Sequence, residues 1–208
     1  TMNEKFWLEF STYEDLVLVK HELYQLFGQR KLLRVRTDSS PGKVYFGVPT
    51  PFDIVPISSG STDANFTIPF DNPNGYRYSL YRSNSLPDNT NGWQFGMNLP
   101  DQLPSYHFTS TSFQVYNASD IKIDPYYQRH DLRITAKFSG SSLKLANKTN
   151  GSAWSYIKSS DGGHKIVLDG INTYLDGTLA NMSTDSGTIS LDPGWTSFTV
   201  TGASSVDI

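Results

Sequence analysis

The residues of this chain that could do chemistry are few and scattered. Its four histidines are His21, His107, His130 and His164, and none lies at the H-x-H or H-x-x-x-H spacing that puts two imidazoles on one metal ion. His21 sits inside a helical pattern beside Glu22, and His164 closes the turn Asp161-Gly162-Gly163. Glycoside hydrolysis needs two carboxyl groups flanking one bond. The candidate pairs are Glu4 with Glu9, and Asp161 with Asp169. Glu4 and Glu9 differ in parity, so a regular strand points them to opposite faces. Asp161 lies in a glycine turn and Asp169 at a strand end, where turn chemistry accounts for a carboxylate. All four glutamates (Glu4, Glu9, Glu14, Glu22) precede residue 23, which leaves the rest of the chain without one. There is no G-x-S-x-G elbow, no phosphate-binding P-loop and no G-x-G-x-x-G turn. Asp161-Gly162 and Asp176-Gly177 lack the D-x-D-x-D-G series of a calcium loop. The expectation is therefore no catalytic, cofactor or metal residues.

Aromatic side chains could instead stack on sugars. Trp93, Trp154 and Trp195 are the candidates for a carbohydrate-binding surface, joined by Tyr126 and Tyr127. The plainer role for all of them is packing in a core or an interface, which aromatic residues dominate.

The elements that must carry these residues are mostly strands. His130 to Ile157 reads HDLRITAKFSGSSLKLANKTNGSAWSYI. Leu132, Ile134, Ala136 and Phe138 alternate with Asp131, Arg133, Thr135 and Lys137, which is the period of a half-buried strand. Ser139-Gly140-Ser141-Ser142 predicts a turn, Leu143 and Leu145 a second strand, Asn147 to Gly151 another turn, and Trp154 and Tyr156 a third strand. Further strands are predicted near 5–10, 31–37, 43–48, 64–70, 76–81, 105–116, 165–169, 170–176 and 196–201. Turns are predicted at Ser39-Ser40-Pro41-Gly42 and Asp192-Pro193-Gly194. One helix is predicted from about Thr12 to Phe27. Its cap is Ser11 or Thr12, with Ser11 and Glu14 matching a capping box; Leu16, Val19, Leu23 and Phe27 form its buried stripe, and Gly28 its end. Residues 83–104, with Trp93 and Phe95, read as a linker or long loop with a short strand at 92–97. The predicted organisation is 1–82, an α+β amino-terminal domain; 83–104, a linker; and 105–208, a β-sandwich.

Several stretches resemble a known family, the distal tail proteins of long-tailed phages. LKLANKTNGSAW followed by a glycine turn into KIVLDG is similar to that family's carboxy-terminal half, and DPGWTSFTVTGASSVDI to its last strands. The strand–helix–strand opening and the phrase FTIPFDNP (Phe66 to Pro73) resemble its amino-terminal domain. Fewer residues precede the helix here than the family usually carries, so the resemblance implies either a truncated first domain or a shorter relative. It also implies a mainly β fold: a small α+β barrel-like domain with one helix, then a galectin-like antiparallel β-sandwich. The implied role is structural, at the tail tip of the virion after synthesis in the host cytoplasm. There it would form a homo-hexameric ring joining the tail tube protein to tail-associated fibre or receptor-binding proteins. A carbohydrate-binding β-sandwich module is the alternative, and a β-sandwich glycosidase a weaker third.

Composition narrows the field. Aromatic content of 13% against 18% charged residues suits pleated, half-buried surfaces and argues against disorder. Seventeen basic and 20 acidic residues leave a net charge of −3, which gives no footprint for nucleic acid. No polybasic segment or apolar run of spanning length points to a membrane. Cysteine is absent, which excludes disulfides and thiolate metal sites. Five Asn-x-Ser/Thr triplets, at Asn65, Asn117, Asn147, Asn150 and Asn181, carry little weight as glycan acceptors in so Asn- and Ser-rich a chain.

Overall fold

The computed structural model describes residues 1–85, 94, 96–101, 103–128 and 130–208. Much of the expected linker lies outside these residues; of the short strand expected at 92–97, residues 94, 96 and 97 are described and none of them is strand. The chain forms two compact units, Thr1–Gln94 and Phe95–Ile208. The fold is mainly β and antiparallel, with one α-helix among the described residues, as the sequence implied.

The first unit is an open sheet. β1 (Met2–Glu9) pairs along its whole length with β4 (Asp63–Asp71), putting Phe6 opposite Phe66. β4 meets β3 (Ser40–Pro49), and β3 meets β2 (Leu33–Thr37), while a two-residue β5 (Tyr78–Ser79) joins β3. The order is β1-β4-β3-β2, so any barrel-like curl stops short of closure. The β2–β3 hairpin turns at Asp38-Ser39, with Thr37 opposite Ser40. The turn expected over residues 39–42 therefore falls two residues early, and Pro41 and Gly42 are strand.

Helix α1 (Tyr13–Phe27) follows β1. Thr12 is its cap: its Oγ1 accepts the Asp15 N–H at 3.2 Å, and the Asp15 carboxylate accepts the Ser11 N–H at 2.9 Å. The reciprocal pairing expected of Ser11 and Glu14 is made one residue later. Gly28 ends the helix, its N–H donating to the Tyr24 carbonyl. Of the expected buried stripe only Leu16 is fully buried; Val19, Leu23 and Phe27 are half-buried. A helix lying on an open sheet edge-clusters its contacts. Phe27 touches the rings of Phe6, Phe52 and Phe70 at centroid distances of 6.1–6.2 Å, while its helical neighbours stay in solvent.

The second unit is built on two long strands, β7 (Arg133–Asn147) and β13 (Gly194–Asp207). No turn interrupts β7: the break expected at residues 139–142 is a bulge inside one 15-residue strand. The alternation explains it. Ala136 and Phe138 face the core at even positions, and Leu143 and Leu145 at odd ones. A period-two strand keeps one face buried across such a phase change only by bulging. β13 bulges at the same level, between Thr201 and Ser205. There the backbones touch: a Cβ on Gly140 would lie 2.5 Å from the Gly202 carbonyl oxygen, and one on Gly202 2.8 Å from the Ser142 carbonyl oxygen. Only glycine admits that approach.

The ladder runs β12 (Thr178–Leu179), β11 (Asn172–Leu175), β10 (Ile166–Asp169), β7, β13, β6 (Ser112–Asn117), with β8 (Ala153–Tyr156) and β9 (Ser160–Asp161) also on β7. Its core gathers Phe138, Leu143, Trp154, Ile166, Leu168, Ile189 and Phe198. Each such side chain contributes about 1.5–3 kcal/mol by leaving water. The predicted alternation of Leu132 to Phe138 against Asp131 to Lys137 holds.

The Asn-x-Ser/Thr triplets have structural work here. Asn117, Asn147 and Asn150 each accept, through Oδ1, the N–H two residues on, at 2.9–3.0 Å. These are side-chain mimics of a backbone turn. Asn147 is also 1% exposed and donates through Nδ2 to the Ser190 carbonyl at 2.8 Å, which ties the β7–β8 hairpin to the 188–191 segment.

Candidate binding surfaces

The sequence-predicted residues do not converge. Trp154 is 1% exposed, with its indole N–H donating to Thr173 Oγ1 at 3.1 Å. Its ring is core, so it offers no face to a sugar: alternation along β8 sends Trp154 and Tyr156 inward. Trp195 alternates the other way from the fully buried Thr196. It stands half-exposed against Tyr116, ring centroids 5.0 Å apart. Tyr126 and Tyr127 project from a turn in which Asp124 Oδ1 accepts both of their N–H groups at 3.0 Å. Trp93 lies outside the described residues. Trp7, which the sequence did not single out, is 67% exposed on β1.

The titratable residues are equally dispersed. Glu4 accepts the Tyr45 hydroxyl at 2.8 Å, and burial together with that contact raises the Tyr45 pKa. Glu9 stands exposed on the opposite face of β1, as its parity required. Asp161 accepts the Gly163 N–H at 2.8 Å, which lowers its pKa. Asp169 pairs instead with Arg133 at 3.7 Å. His107 contacts Asp207 at 2.6 Å, and His164 contacts Asp176 at 2.7 Å. That second contact raises the His164 pKa and lowers that of Asp176. Among the described residues no group of three His, Asp or Glu is placed to hold a metal ion.

Two surfaces remain that fold and sequence build together. One is the pair of open edges in the first unit. β1 and the start of α1 carry Glu4, Glu9, Glu14 and Asp15 against a single cation, Lys5. At the other end of the sheet β2 and its approach carry Arg30, Lys31, Arg34 and Arg36 with no carboxylate. Arg34 and Arg36 donate to the carbonyls of Leu80 and Pro41, and none of the four cations has an ion pair among the described residues. The helix adds exposed apolar area: Tyr13, Val17, Leu18 and Leu26. The other surface is a groove on the outer face of β7, β10 and β11.

The comparisons with known proteins bear on the first of these. Residues 1–72 match the family model of the phage tail protein RIFT-related domain. That stretch, about a third of the chain, is thus similar to a phage tail domain. Beyond it, the chain shares a fold with the Dit protein of phage SPP1, with a TM-score of 0.64 over 99% of this chain and 75% of that one, at 11% identity. The crystal structure of that protein is presented as a paradigm of the hub adsorption apparatus in phages infecting Gram-positive bacteria. At such identity the likeness is one of fold. A sequence search of curated proteins finds no match. Both comparisons point the way the sequence resemblance did: residues 1–72 are similar to a phage tail domain, and 99% of the chain shares its fold with a Dit protein.

Proposed function

We propose that this chain is a structural hub of a phage tail tip, a homo-hexameric ring that joins the tail tube to fibre or receptor-binding proteins and catalyses nothing. The observation that carries this is the first unit's open sheet, whose two free edges bear opposite charge. Free edges template pairing with another chain, and a ring closes through two different, complementary patches on each subunit. The acidic β1 edge of one copy and the basic β2 edge of the next meet that requirement. Opposite charge also steers encounter and opposes the wrong register. The half-exposed helix supplies apolar area that a neighbouring copy or tube subunit would cover.

Light scattering tests the reading. The wild-type chain is expected to assemble, alone or with tail tube protein, and more readily at low salt. The pair R34E/R36E should stay monomeric, and so should E9K/E14K. Mixed, these two should assemble again, because every contact between alternating copies then pairs an acidic edge with a basic one. A wild-type chain that stays monomeric with and without tube protein would reject the hub.

A further inference from the structure

The groove in the second unit lies apart in the chain from the edges assigned above to the ring, and its construction is specific. Strand register places Thr135, Val167, Tyr174 and Leu179 in one cross-strand row over β7, β10, β11 and β12. A second row is Arg133, Asp169 and Asn172. Beyond the other end, Lys165 and Asp176 pair through their backbones, and Asp176 Oδ1 accepts the Lys165 N–H at 2.8 Å. Val167 is the telling residue. Its neighbours Ile166 and Leu168 point into the core, so Val167 points outward, yet it is only 5% exposed. The surrounding side chains wall it in. It forms the apolar floor of a depression of about 580 Å³ with Tyr174 beside it. Ligand sites usually span about 300–1,000 Å³.

We propose that this groove binds a short, neutral oligosaccharide. A pyranose has an apolar C–H face and a rim of hydroxyls. The Tyr174 ring and the Val167 floor suit the first. The rim would meet the Arg133–Asp169 pair at one end and Lys165 with Asp176 at the other, where donors and acceptors alternate. The lining carries two cations and two carboxylates, so its charges cancel. A polyanion would meet both carboxylates, and an apolar peptide would strand four charged groups; an uncharged polyol meets neither cost. Gly177, with nothing within 4 Å of the position a Cβ would take, leaves one end open for the sugar chain to continue.

The test uses the full chain and a panel of neutral gluco-, galacto-, manno- and N-acetylhexosamine oligomers, with polyglycerol phosphate as the anionic comparator. Saturation-transfer NMR and calorimetry should find one neutral class that binds. Tyr174→Ala and Asp169→Asn should each weaken it by about tenfold or more, Tyr174→Phe should retain it, and Trp195→Ala should leave it unchanged. Melting curves verify that each variant folds; if Tyr174→Ala does not, Arg133→Gln replaces it. The proposal is overturned if no neutral saccharide binds, if polyglycerol phosphate is preferred, or if Trp195→Ala abolishes binding while the groove variants do not. These outcomes are independent of ring formation, so the groove and the hub stand or fall separately.

Discussion

The two units solve the same problem, burying the faces of antiparallel strands, to different degrees. The second finishes the job internally. Its two long strands each contribute to both ends of one core, and side chains as large as Trp154 and Phe138 lose nearly all contact with water. The first leaves its job unfinished. Among the described residues its sheet ends in two unpaired edges, and its helix buries one residue fully while Tyr13, Val17, Leu18 and Leu26 stay exposed. The lesson is that incompleteness is localised. A wet apolar helix beside open edges is a feature that a partner usually covers, and here it coincides with the residues similar to a phage tail domain.

The contrast can be broken by core truncation. Phe138→Ala should destabilise the second unit by about 3–5 kcal/mol, read by urea unfolding with the buried Trp154 as a reporter. If the first unit is as thinly packed as described, the same experiment along α1 should discriminate sharply. Leu16→Ala should cost about 2–3 kcal/mol, Leu23→Ala, half-buried, about 1 kcal/mol, and the exposed Leu18→Ala nearly nothing in the monomer. Equal costs at Leu16 and Leu18 would mean the helix face is misjudged.

A smaller effect sharpens the account of the long strands. Gly202→Ala should cost about 1–3 kcal/mol, since its backbone sits at φ +86° and a Cβ would press on the Ser142 carbonyl. Ala203→Gly, next to it, should cost less, and hydrogen exchange should show the loosening confined to the β7–β13 bulge.

The smallest effect is electrostatic. The His164–Asp176 contact raises one pKa and lowers the other. The raised histidine contributes stability fully below its ordinary 6.5 and loses it as pH climbs through the folded value; the depressed aspartate contributes above its ordinary 3.8 and loses it as pH falls through its own. The wild type should therefore exceed His164→Gln in Tm most between those two values and least in alkali. Both groups are exposed, so the gap should shrink in salt. A gap that grows above neutral pH would refute the contact.

Much of this was legible in the residues. Period-two alternation located β7, β10 and the start of β13, because a strand half in water must alternate whatever it packs against. Leu16 through Gly28 located α1, because apolar spacing and cap chemistry are local. What failed were readings in which a local signal has two tertiary meanings. Ser139-Gly140-Ser141-Ser142 spells a turn, and the backbone of β13, some sixty residues away, makes it a bulge. Trp154 and Trp195 are the same residue type, and only the alternation set by β7 and β6 put one in the core and the other in solvent. Tyr174 drew no notice, since nothing in its neighbourhood announces Arg133 or Val167; register across three strands brought them together. Which segments alternate and where the helix begins and ends could be read from the residues, since those depend on near neighbours. The tertiary structure alone decided which edges stay open and which side chains share a surface. Both depend on pairings between residues far apart in the chain, and no local interaction encodes those.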